Sequence, residues 1–552
     1  MKKNWANIVL VMSLGLLISA CSVKQFIPEE KRLYTGATIE LETDSTVENL
    51  SGLKTELEKV LRPEPNSKFL GMRPGLFYYY KNQKENPSFI TRWLYKQIGE
   101  EPVYQSDVEP FEVEEILRNR LENNGFFYST ATSAFTEKEF EASIKYNVNV
   151  TTPYKRATFQ LDSMPYPLYG DVEEVTKNSP FLEEVRFDLS NMKLERQRID
   201  RELKKKGYYN FNEDFLIFKA DTNQYSTKRY DLYLGLKANV PKKATIPYKV
   251  KTINVYPNHD LEDSTSMTTE RFNQKNYLQD SLFIKPKYLD KFITLEEGDY
   301  YNPQNSKNTA RRLSSLGAYK YVNVRFQETD TMATDSLGSL NANIYLSPLT
   351  KRAIRAELQA VTKSNNFAGP NLALTYTNRN LFKGGENLSV SANLGYETQF
   401  ASGDNAGLSS IEVGLKTELM FPRVISPFSV NEDFFEYTVP KTKTSLGISY
   451  LNRSELYALV SGNALFGYTW NANRYITYDF NPISVNYTRL SNTTEDFQEI
   501  LDENPFLQRS FDQQFISGMT FSFTYNGMVD TNETYQIYLN STLDVAGNSI
   551  SL

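Results

Sequence analysis

Side chains suited to acid–base, nucleophilic or metal chemistry are scarce in this chain. Its 552 residues include one histidine, His259, and one cysteine, Cys21. A structural zinc site needs about four nitrogen or sulfur ligands, so these two residues exclude one. His259 lies in the turn-like stretch YPNHDLE, where nothing supports a Ser-His-Asp triad. The sequence contains no G-x-S-x-G, G-x-x-x-x-G-K-[ST] or G-x-G-x-x-G motif. We therefore expect no enzymatic activity and no cofactor.

The charged residues favour neither a metal site nor a nucleic-acid partner. Glu296, Glu297 and Asp299 form a cluster that could hold Ca²⁺, but we interpret it as a solvated helix-to-turn segment. The formal net charge is -6, which lacks the basic excess of a nucleic-acid-binding surface. The aromatic fraction of 13% is high, and it is supplied mostly by tyrosine and phenylalanine.

The N-terminus predicts export. Lys2 and Lys3 precede an apolar run over residues 8–18, which is short for a spanning helix and typical of a signal peptide over 1–20. The run ends in LISAC, which resembles a bacterial lipobox and implies lipid attachment at Cys21, followed by a linker over 21–30. A plain signal peptide with an incidental cysteine is the alternative. Ser22 follows where an acidic residue would imply inner-membrane retention, so the resemblance implies the outer membrane.

One sequence pattern occurs three times: a helical run, a glycine, and then an aromatic strand. The copies are LRNRLENNGFFYS, IDRELKKKGYYNF and ARRLSSLGAYKYV, with Gly125, Gly207 and Gly317 at the joints. Glycine directly after a helix adopts the left-handed conformation that closes it. Strand-like segments precede each helix and follow each glycine, which predicts α+β units over 31–150, 154–240 and 248–350.

From about Arg352 the helical pattern gives way to alternation. NLSVSANLGYETQF, NPISVNYTRL and GMTFSFTYNG place apolar side chains on one face and small polar ones on the other. This period of two predicts transmembrane β-strands. We expect nine: 353–361, 370–379, 386–399, 408–420, 441–451, 460–472, 475–489, 512–526 and 533–545. Because single-chain bacterial barrels have even strand numbers, we interpret 351–552 as the N-terminal part of an antiparallel transmembrane β-barrel that is truncated. The polar insert TRLSNTTEDFQEILDENPFLQRS, residues 488–510, is expected to be an extracellular loop, and a soluble β-sandwich is the alternative fold.

The repeated β-α-α-β-β unit with its glycine joint resembles a POTRA domain, the polypeptide-transport-associated module. In the third copy, Gly298, Asp299, Tyr300 and Asn302 match the POTRA domain next to an outer-membrane barrel. The following barrel-entry stretch NRNLFKGGE resembles the BamA and TamA superfamily through seven residues: Asn378, Arg379, Asn380, Leu381, Phe382, Gly385 and Glu386. Together with the lipobox, the sequence is most similar to the lipoprotein TamA-like (TamL) proteins of Bacteroidetes. The Arg-Gly-Tyr or Arg-Gly-Phe motif of the sixth extracellular loop in this family does not occur.

This resemblance implies a protein of the outer-membrane bilayer with POTRA-like domains in the periplasm. It implies a TamB-like periplasm-spanning partner, and either unfolded outer-membrane proteins or phospholipid as cargo. The barrel strand that begins at Lys351 would form one side of a seam that opens for an incoming strand. A two-partner secretion pore and a passive porin with periplasmic binding modules are the alternatives.

Overall fold

The computed structural model describes residues 23–43, 47–69, 71–177, 179, 185–259, 267–329, 336–364, 366–400, 407–428, 430, 435–531 and 534–547. Cys21 lies outside the described residues. The chain divides into two compact units. The first unit comprises the chain up to Leu203 together with Phe211–Pro241. The second unit comprises Lys204–Asn210 and the chain from Lys242 onward.

Among its described residues, the first α+β module contains a three-stranded sheet and four α-helices. Its strands are β1 (Leu33–Thr43), β2 (Thr130–Glu137) and β3 (Glu141–Val150), in the order β1-β3-β2, with β1 parallel and β2 antiparallel to β3. Its helices are α1 (Leu50–Glu58), α2 (Pro74–Asn82), α3 (Phe89–Ile98) and α4 (Pro110–Asn123). Alternate residues of β3 and every fourth residue of α4 are buried together in one core.

The helix count of this module differs from the β-α-α-β-β expectation. Helices α2 and α3 are additional. Helix α2 packs in an apolar cluster separate from the main core of the module, and α3 contacts α2. This second cluster is formed by Val23, Ile27, Leu33, Leu76 and Phe77. Two extra helices are stable here because the chain segment before β1 supplies the apolar surface against which α2 packs.

The second module has the expected order of elements. Strands β4 (Lys155–Leu161), β5 (Leu216–Asp221) and β6 (Arg229–Leu236) form a sheet in the order β4-β6-β5, again with the first strand parallel to the last. Helices α5 (Leu168–Thr176) and α6 (Leu189–Lys205) lie between β4 and β5 in the sequence. Helix α6 buries Met192, Ile199 and Leu203.

The third module adds a hairpin to this plan. Its sheet order is β10-β11-β7-β9-β8, from β7 (Tyr248–Tyr256), β8 (Thr268–Phe272), β9 (Lys275–Gln279), β10 (Tyr319–Glu328) and β11 (Gly338–Pro348). Its helices are α7 (Pro286–Leu289) and α8 (Pro303–Ser315). The pairing of β7, β10 and β11 repeats that of the other two modules, and the hairpin β8–β9 extends the sheet beyond β7.

The described chain after the third module forms one antiparallel sheet of nine strands in sequence order, with one helical insert. They are β12 (Arg352–Thr362), β13 (Phe367–Arg379), β14 (Asn387–Gln399), β15 (Ser409–Phe421), β16 (Lys441–Arg453), β17 (Tyr457–Asn471), β18 (Ile476–Thr493), β19 (Gln514–Asn526) and β20 (Tyr538–Ala546). The predicted fold class, tandem α+β modules followed by an antiparallel sheet of nine strands, is confirmed.

The expectation that helices end with the third module is wrong. The insert between β18 and β19 contains α9 (Glu495–Glu503) and α10 (Pro505–Phe511). Helix α9 buries Phe497 and Leu501, and the rings of Tyr457, Phe497 and Phe511 contact one another with centroids about 5 Å apart. A small aromatic core of its own therefore folds this insert.

Candidate functional site

One face of the nine-stranded sheet is apolar and exposed. Ala356, Leu374, Ala392, Leu415 and Ile448 pair in turn across β12 to β16. Leu374, Leu415 and Ile448 are 45%, 48% and 59% exposed. These exposures show that no second layer covers this face in the part of the chain that the structure describes. A continuous apolar surface of this extent marks contact with a partner or with lipid.

The opposite face of the sheet is small and polar. Thr375, Ser391, Lys416, Gly447 and Asn463 pair in turn across β13 to β17. The hydroxyl oxygens of Thr375 and Ser391 are 3.0 Å apart. A side chain at Gly447 would meet the Asn463 amide oxygen at 2.6 Å, so glycine makes room for its neighbour. The two faces therefore differ as the alternation in the sequence predicts.

The first strand of the sheet, β12, is an open edge among the described residues. It pairs with β13 on one side only. Its apolar residues Ile354 and Leu358 are 79% and 77% exposed. An edge strand presents unpaired N–H and C=O groups, and these groups can accept another strand. This strand is the one that the sequence predicts as a side of the seam.

The barrel-entry residues form a buried turn between β13 and β14. Asn380 has a φ of 68°, and its N–H donates to the Glu386 carbonyl at 2.7 Å. The N–H of Leu381 donates to the same carbonyl at 3.0 Å, and the N–H of Gly385 donates to the Asn380 side-chain oxygen at 3.1 Å. These bonds fold the chain back on itself over seven residues.

The same turn is fixed to the third module. The Asn380 amide donates to the carbonyl of Phe283 at 2.6 Å, and the N–H of Lys285 donates to the carbonyl of Lys383 at 3.0 Å. A side chain at Gly385, whose φ is 82°, would come within 3.1 Å of Leu316. Asn380 contacts the segment just before α7, and Gly385 lies close to the residue just after α8. These contacts explain why the barrel-entry pattern contains an asparagine and a glycine at these positions.

The remaining entry residues have different environments. The Arg379 side chain donates to the Thr350 carbonyl at 3.0 Å, and its own N–H donates to the carbonyl of Lys351 at 2.8 Å. Asn378 is buried, whereas Phe382 is 56% exposed, although its backbone N–H donates to the Glu386 carboxylate. The structure therefore places the entry residues at the end of β13 and in one turn, and it leaves the side chain of Phe382 at the surface.

Glu386 is the electrostatic centre of the turn. Its side chain is 1% exposed, and its carboxylate accepts from Arg423 at 2.8 Å, from the N–H of Gly384 at 2.9 Å and from the N–H of Phe382 at 3.2 Å. Burial raises the pKa of this carboxyl, but the hydrogen bonds and the charge of Arg423 outweigh burial and hold the pKa below its ordinary value. The Arg423 guanidinium also lies over the ring of Tyr288, 4.4 Å from its centroid.

Arg423 is a site residue that the sequence analysis missed. It follows Pro422 directly after β15, and it is 37 residues from Glu386 in the sequence. Only the antiparallel pairing of β14 with β15 brings the two ends together. A lone arginine after a proline carries no signal of this contact.

A second link between the third module and the sheet uses the end of α8. The Arg312 guanidinium donates to the carbonyls of Phe435 and Glu436 at 3.0 and 2.8 Å. Arg311 donates to the carbonyl of Tyr437 at 3.2 Å and lies 3.8 Å from the centroid of its ring. These contacts bind the segment before β16 to the third module. They were also missed, since the arginines lie within an ordinary helical pattern.

The residues that match the barrel-proximal POTRA pattern lie beside β7. The N–H of Gly298, whose φ is 92°, donates to the Val250 carbonyl, and the N–H of Val250 donates to the Asp299 carbonyl, both at 2.8 Å. Tyr300 forms an isolated antiparallel β-bridge with Lys249. The Asn302 side chain caps α8 by accepting a hydrogen bond from the N–H of Gln304 at 2.9 Å. This segment extends the edge of β7 and begins the helix whose end carries Arg312.

The three joint glycines share a role that the repeat alone does not show. All have positive φ: 83° at Gly125, 106° at Gly207 and 69° at Gly317. The Gly125 carbonyl accepts from the N–H of Tyr154 at 2.9 Å, and the Gly207 carbonyl accepts from the N–H of Tyr248 at 2.8 Å. After Gly317, the carbonyl of Ala318 accepts from Leu349 at 2.8 Å. Each joint is thus bonded to the chain that starts the next module or sheet.

His259 and the acidic cluster both make structural contacts. The His259 ring lies 4.8 Å from the ring of Tyr345, and its backbone N–H donates to the carbonyl of Leu346. Glu297 pairs with Arg271 at 3.1 Å. Within the described ranges, no three histidine, cysteine or acidic side chains come close enough to hold a metal ion. Among the described helices, none is both long enough and apolar enough to span a membrane.

Comparisons with known proteins give likenesses of fold only. No protein-family model matches the chain, and no curated protein matches it. BamA from Haemophilus ducreyi, solved without POTRA domains 1–3, is 12% identical over 71% of this chain and 64% of its own, with a TM-score of 0.38. CdiB from Acinetobacter baumannii is 11% identical over 71% of this chain and 68% of its own, with a TM-score of 0.25.

POTRA domains 1–3 of Omp85 from Anabaena are 11% identical over 58% of this chain and 97% of their own, with a TM-score of 0.20. The chain thus spans less than two thirds of the BamA chain it matches. At these identities and TM-scores, the likenesses establish neither a family nor an activity for this protein. The role of the chain is inferred from its own geometry.

Proposed function

We propose that this chain is an outer-membrane lipoprotein of the translocation and assembly type, which assists the insertion or translocation of outer-membrane components. The observation that carries the proposal is a sheet with one exposed apolar face and one small polar face. Lipid satisfies the apolar face, and an aqueous interior satisfies the polar one. On this proposal, the sheet is part of a transmembrane barrel and the three modules lie in the periplasm.

We propose that the edge of β12, which is unpaired among the described residues, supplies the mechanism. In hydrocarbon, each unpaired backbone group costs several kcal/mol, so a client strand gains from pairing with an available edge before its own barrel closes. Strand addition of this kind draws its affinity from backbone hydrogen bonds and so accepts many client sequences. Nothing in this step needs a catalytic side chain.

The Glu386 turn links the third module to this strand. Arg379 bonds to Thr350 and Lys351 just before β12, while Asn380 bonds to Phe283 in the third module. Binding at the third module would therefore be transmitted to the start of β12 through short hydrogen bonds. We propose a TamB-like periplasm-spanning protein as the partner, unfolded outer-membrane proteins or phospholipid as cargo, and a lipid at Cys21 as an additional anchor.

The edge hypothesis is tested with a photo-crosslinking amino acid at Gln359 in β12. Asn393, on the same face of the interior strand β14, is the matched control. During outer-membrane protein synthesis, we expect the probe at Gln359 to capture nascent barrel proteins or lipid and the probe at Asn393 to capture neither. Equal capture at both positions, or none at Gln359 in cells that assemble barrels normally, contradicts the proposal.

A passive porin is distinguished by conductance. Purified protein in planar bilayers is expected to be mostly closed if β12 is a seam that opens for clients. A large and steadily open channel would instead indicate a pore, because a wide aqueous interior conducts without a client.

A further inference from the structure

Helix α3 in the first module presents an apolar stripe to solvent. Phe89, Ile90 and Trp93 are 75%, 64% and 54% exposed, and none of the ten residues of the helix is buried. At 3.6 residues per turn these three side chains span about 100° of the helix circumference. The helix contacts the module through its other side, where the ring of Tyr95 lies 6.1 Å from that of Tyr79.

The helix is held firmly despite this exposure. The N–H of Glu100, just after α3, donates to the Gly75 carbonyl in α2 at 3.3 Å, and a side chain at Gly75 would meet the Ile98 carbonyl at 2.8 Å. Ser88 caps the start of the helix by accepting from the N–H of Ile90. The apolar stripe is thus displayed by a fixed element rather than by a frayed one.

The other side of α2 contacts the first described residues of the chain. Val23 and Ile27 are each 8% exposed and belong to the apolar cluster with Leu76 and Phe77 of α2. The ring of Phe26 stacks on that of Tyr80 at 5.6 Å. Cys21 precedes Val23 by two residues, a reach of roughly 7 Å of extended chain. Any lipid on Cys21 is therefore attached close to the α2–α3 pair.

The charges of this pair favour an anionic surface. Helix α3 contains Arg92 and Lys96 and no acidic residue, and at 3.6 residues per turn both cations lie along the Phe89 edge of the apolar stripe. Over residues 74–98 there are four cationic side chains and one carboxylate, although the whole chain has a net charge of -6. Lys81 and Lys84 complete this set, and their ammonium groups lie over the rings of Phe77 and Phe26.

We propose that α3 is a membrane-surface helix that docks the first module onto the bilayer beside the lipidated N-terminus. Phe89, Ile90 and Trp93 enter the boundary between headgroups and acyl chains, while Arg92 and Lys96 contact anionic headgroups. Tryptophan is suited to this depth because its ring has an apolar body and a polar N–H. The inference rests on the proposed lipid at Cys21, which raises the local concentration of bilayer around a helix too short to bind strongly alone.

The test uses the tryptophans of the chain. Trp5 lies in the predicted signal peptide, so a Trp470→Phe variant of the full-length protein has Trp93 as its only tryptophan after Cys21. This variant is purified from membranes and reconstituted into vesicles of phosphatidylethanolamine and phosphatidylglycerol, with or without bromine on the acyl chains. The matched control carries Trp93→Phe, Trp470→Phe and Leu194→Trp, because Leu194 is 60% exposed on α6 of the second module.

We expect brominated lipid to reduce Trp93 emission by about half, since the ring lies roughly 5–10 Å into the bilayer, and to leave the Leu194→Trp control unchanged. The proposed function is checked in the same samples by flotation of the protein with the vesicles. Flotation with unquenched Trp93 overturns the surface helix and leaves the membrane assignment intact. Failure to float overturns both.

Two further results would also contradict the inference. Equal quenching of Trp93 and of the control would mean non-specific adsorption of the modules to lipid. Shielding of Trp93 only after addition of a periplasmic protein, with no effect of brominated lipid, would mean that the apolar stripe binds protein and not membrane.

Discussion

Replacing Glu386 is the most direct test of the link between the third module and the nine-stranded sheet. The carboxylate is 1% exposed and accepts three hydrogen bonds, from Arg423, Gly384 and Phe382. Glu386→Ala leaves the Arg423 guanidinium, itself 20% exposed, without its counterion and leaves two backbone N–H groups without an acceptor. A Glu386→Leu, Arg423→Met double variant removes both charges together.

The expected loss follows from this burial. Removing one partner of a buried ion pair costs about 3–5 kcal/mol, because an uncompensated charge remains. Replacing both partners by apolar residues of similar volume is often close to neutral, so the double variant should recover most of the loss. Glu418→Gln is the control: Glu418 lies 3.5 Å from Lys416, both side chains are substantially exposed, and a change below about 1 kcal/mol is expected.

The assay is urea unfolding of the purified protein in detergent, followed by tryptophan fluorescence. With a slope of about 1–3 kcal/mol per molar urea, a loss of 3 kcal/mol lowers the midpoint by about 1 M or more. Equal midpoints for Glu386→Ala and Glu418→Gln would refute the reasoning that the turn is held by this buried pair. So would a double variant that is less stable than Glu386→Ala.

Three further predictions follow from local geometry. Because the pKa of Glu386 is lowered from 4.5 in the folded state, its contribution is fully present above that value and is lost as pH falls through the lower folded pKa; urea midpoints of wild type and Glu386→Gln should therefore converge on acidification. Gly125→Ala should lower the thermal midpoint more than Gly71→Ala: both positions have positive φ, but only at Gly125 does the new carbon meet a backbone oxygen, that of Phe187 at 2.7 Å, and equal effects would contradict this account. Asn302→Ala should cost about 1 kcal/mol in the same urea titration through loss of the helix cap, and Asn302→Asp should restore it.

The nine strands could be predicted because their signal is local. A strand with one apolar and one polar face alternates residue by residue, and NLSVSANLGYETQF shows this without reference to the rest of the chain. The glycine joints were equally accessible, since a helix that ends in glycine before an aromatic run has few other conformations. The fold class therefore follows from short-range patterns.

Helices α2 and α3 were missed because their sequence contains competing signals. LFYYY in α2 is rich in aromatic residues that favour strands, and its helical state depends on packing against Val23 and Ile27. Helices α9 and α10 were predictable in principle. Thr494 caps the N-terminus of α9 and Asn504 caps that of α10, where Pro505 occupies the first helical position.

The candidate site was also predictable only in part. Asn380, Gly385 and Glu386 could be selected as a motif, but the sequence does not show that Glu386 is buried or that its partner is Arg423. That contact joins two turns whose proximity depends on strand register. Long-range pairing of this type is invisible to any pattern confined to neighbouring residues.

The insert formed by α9 and α10 has a consequence for how the protein surface can change. Because Phe497 and Phe511 pack on Tyr457 in a separate small core, most other positions of the insert do not support the strands. Phe506, for example, is 85% exposed. Such a segment can diversify under selection by molecules that reach that side of the protein, while the strand scaffold beneath it stays unchanged.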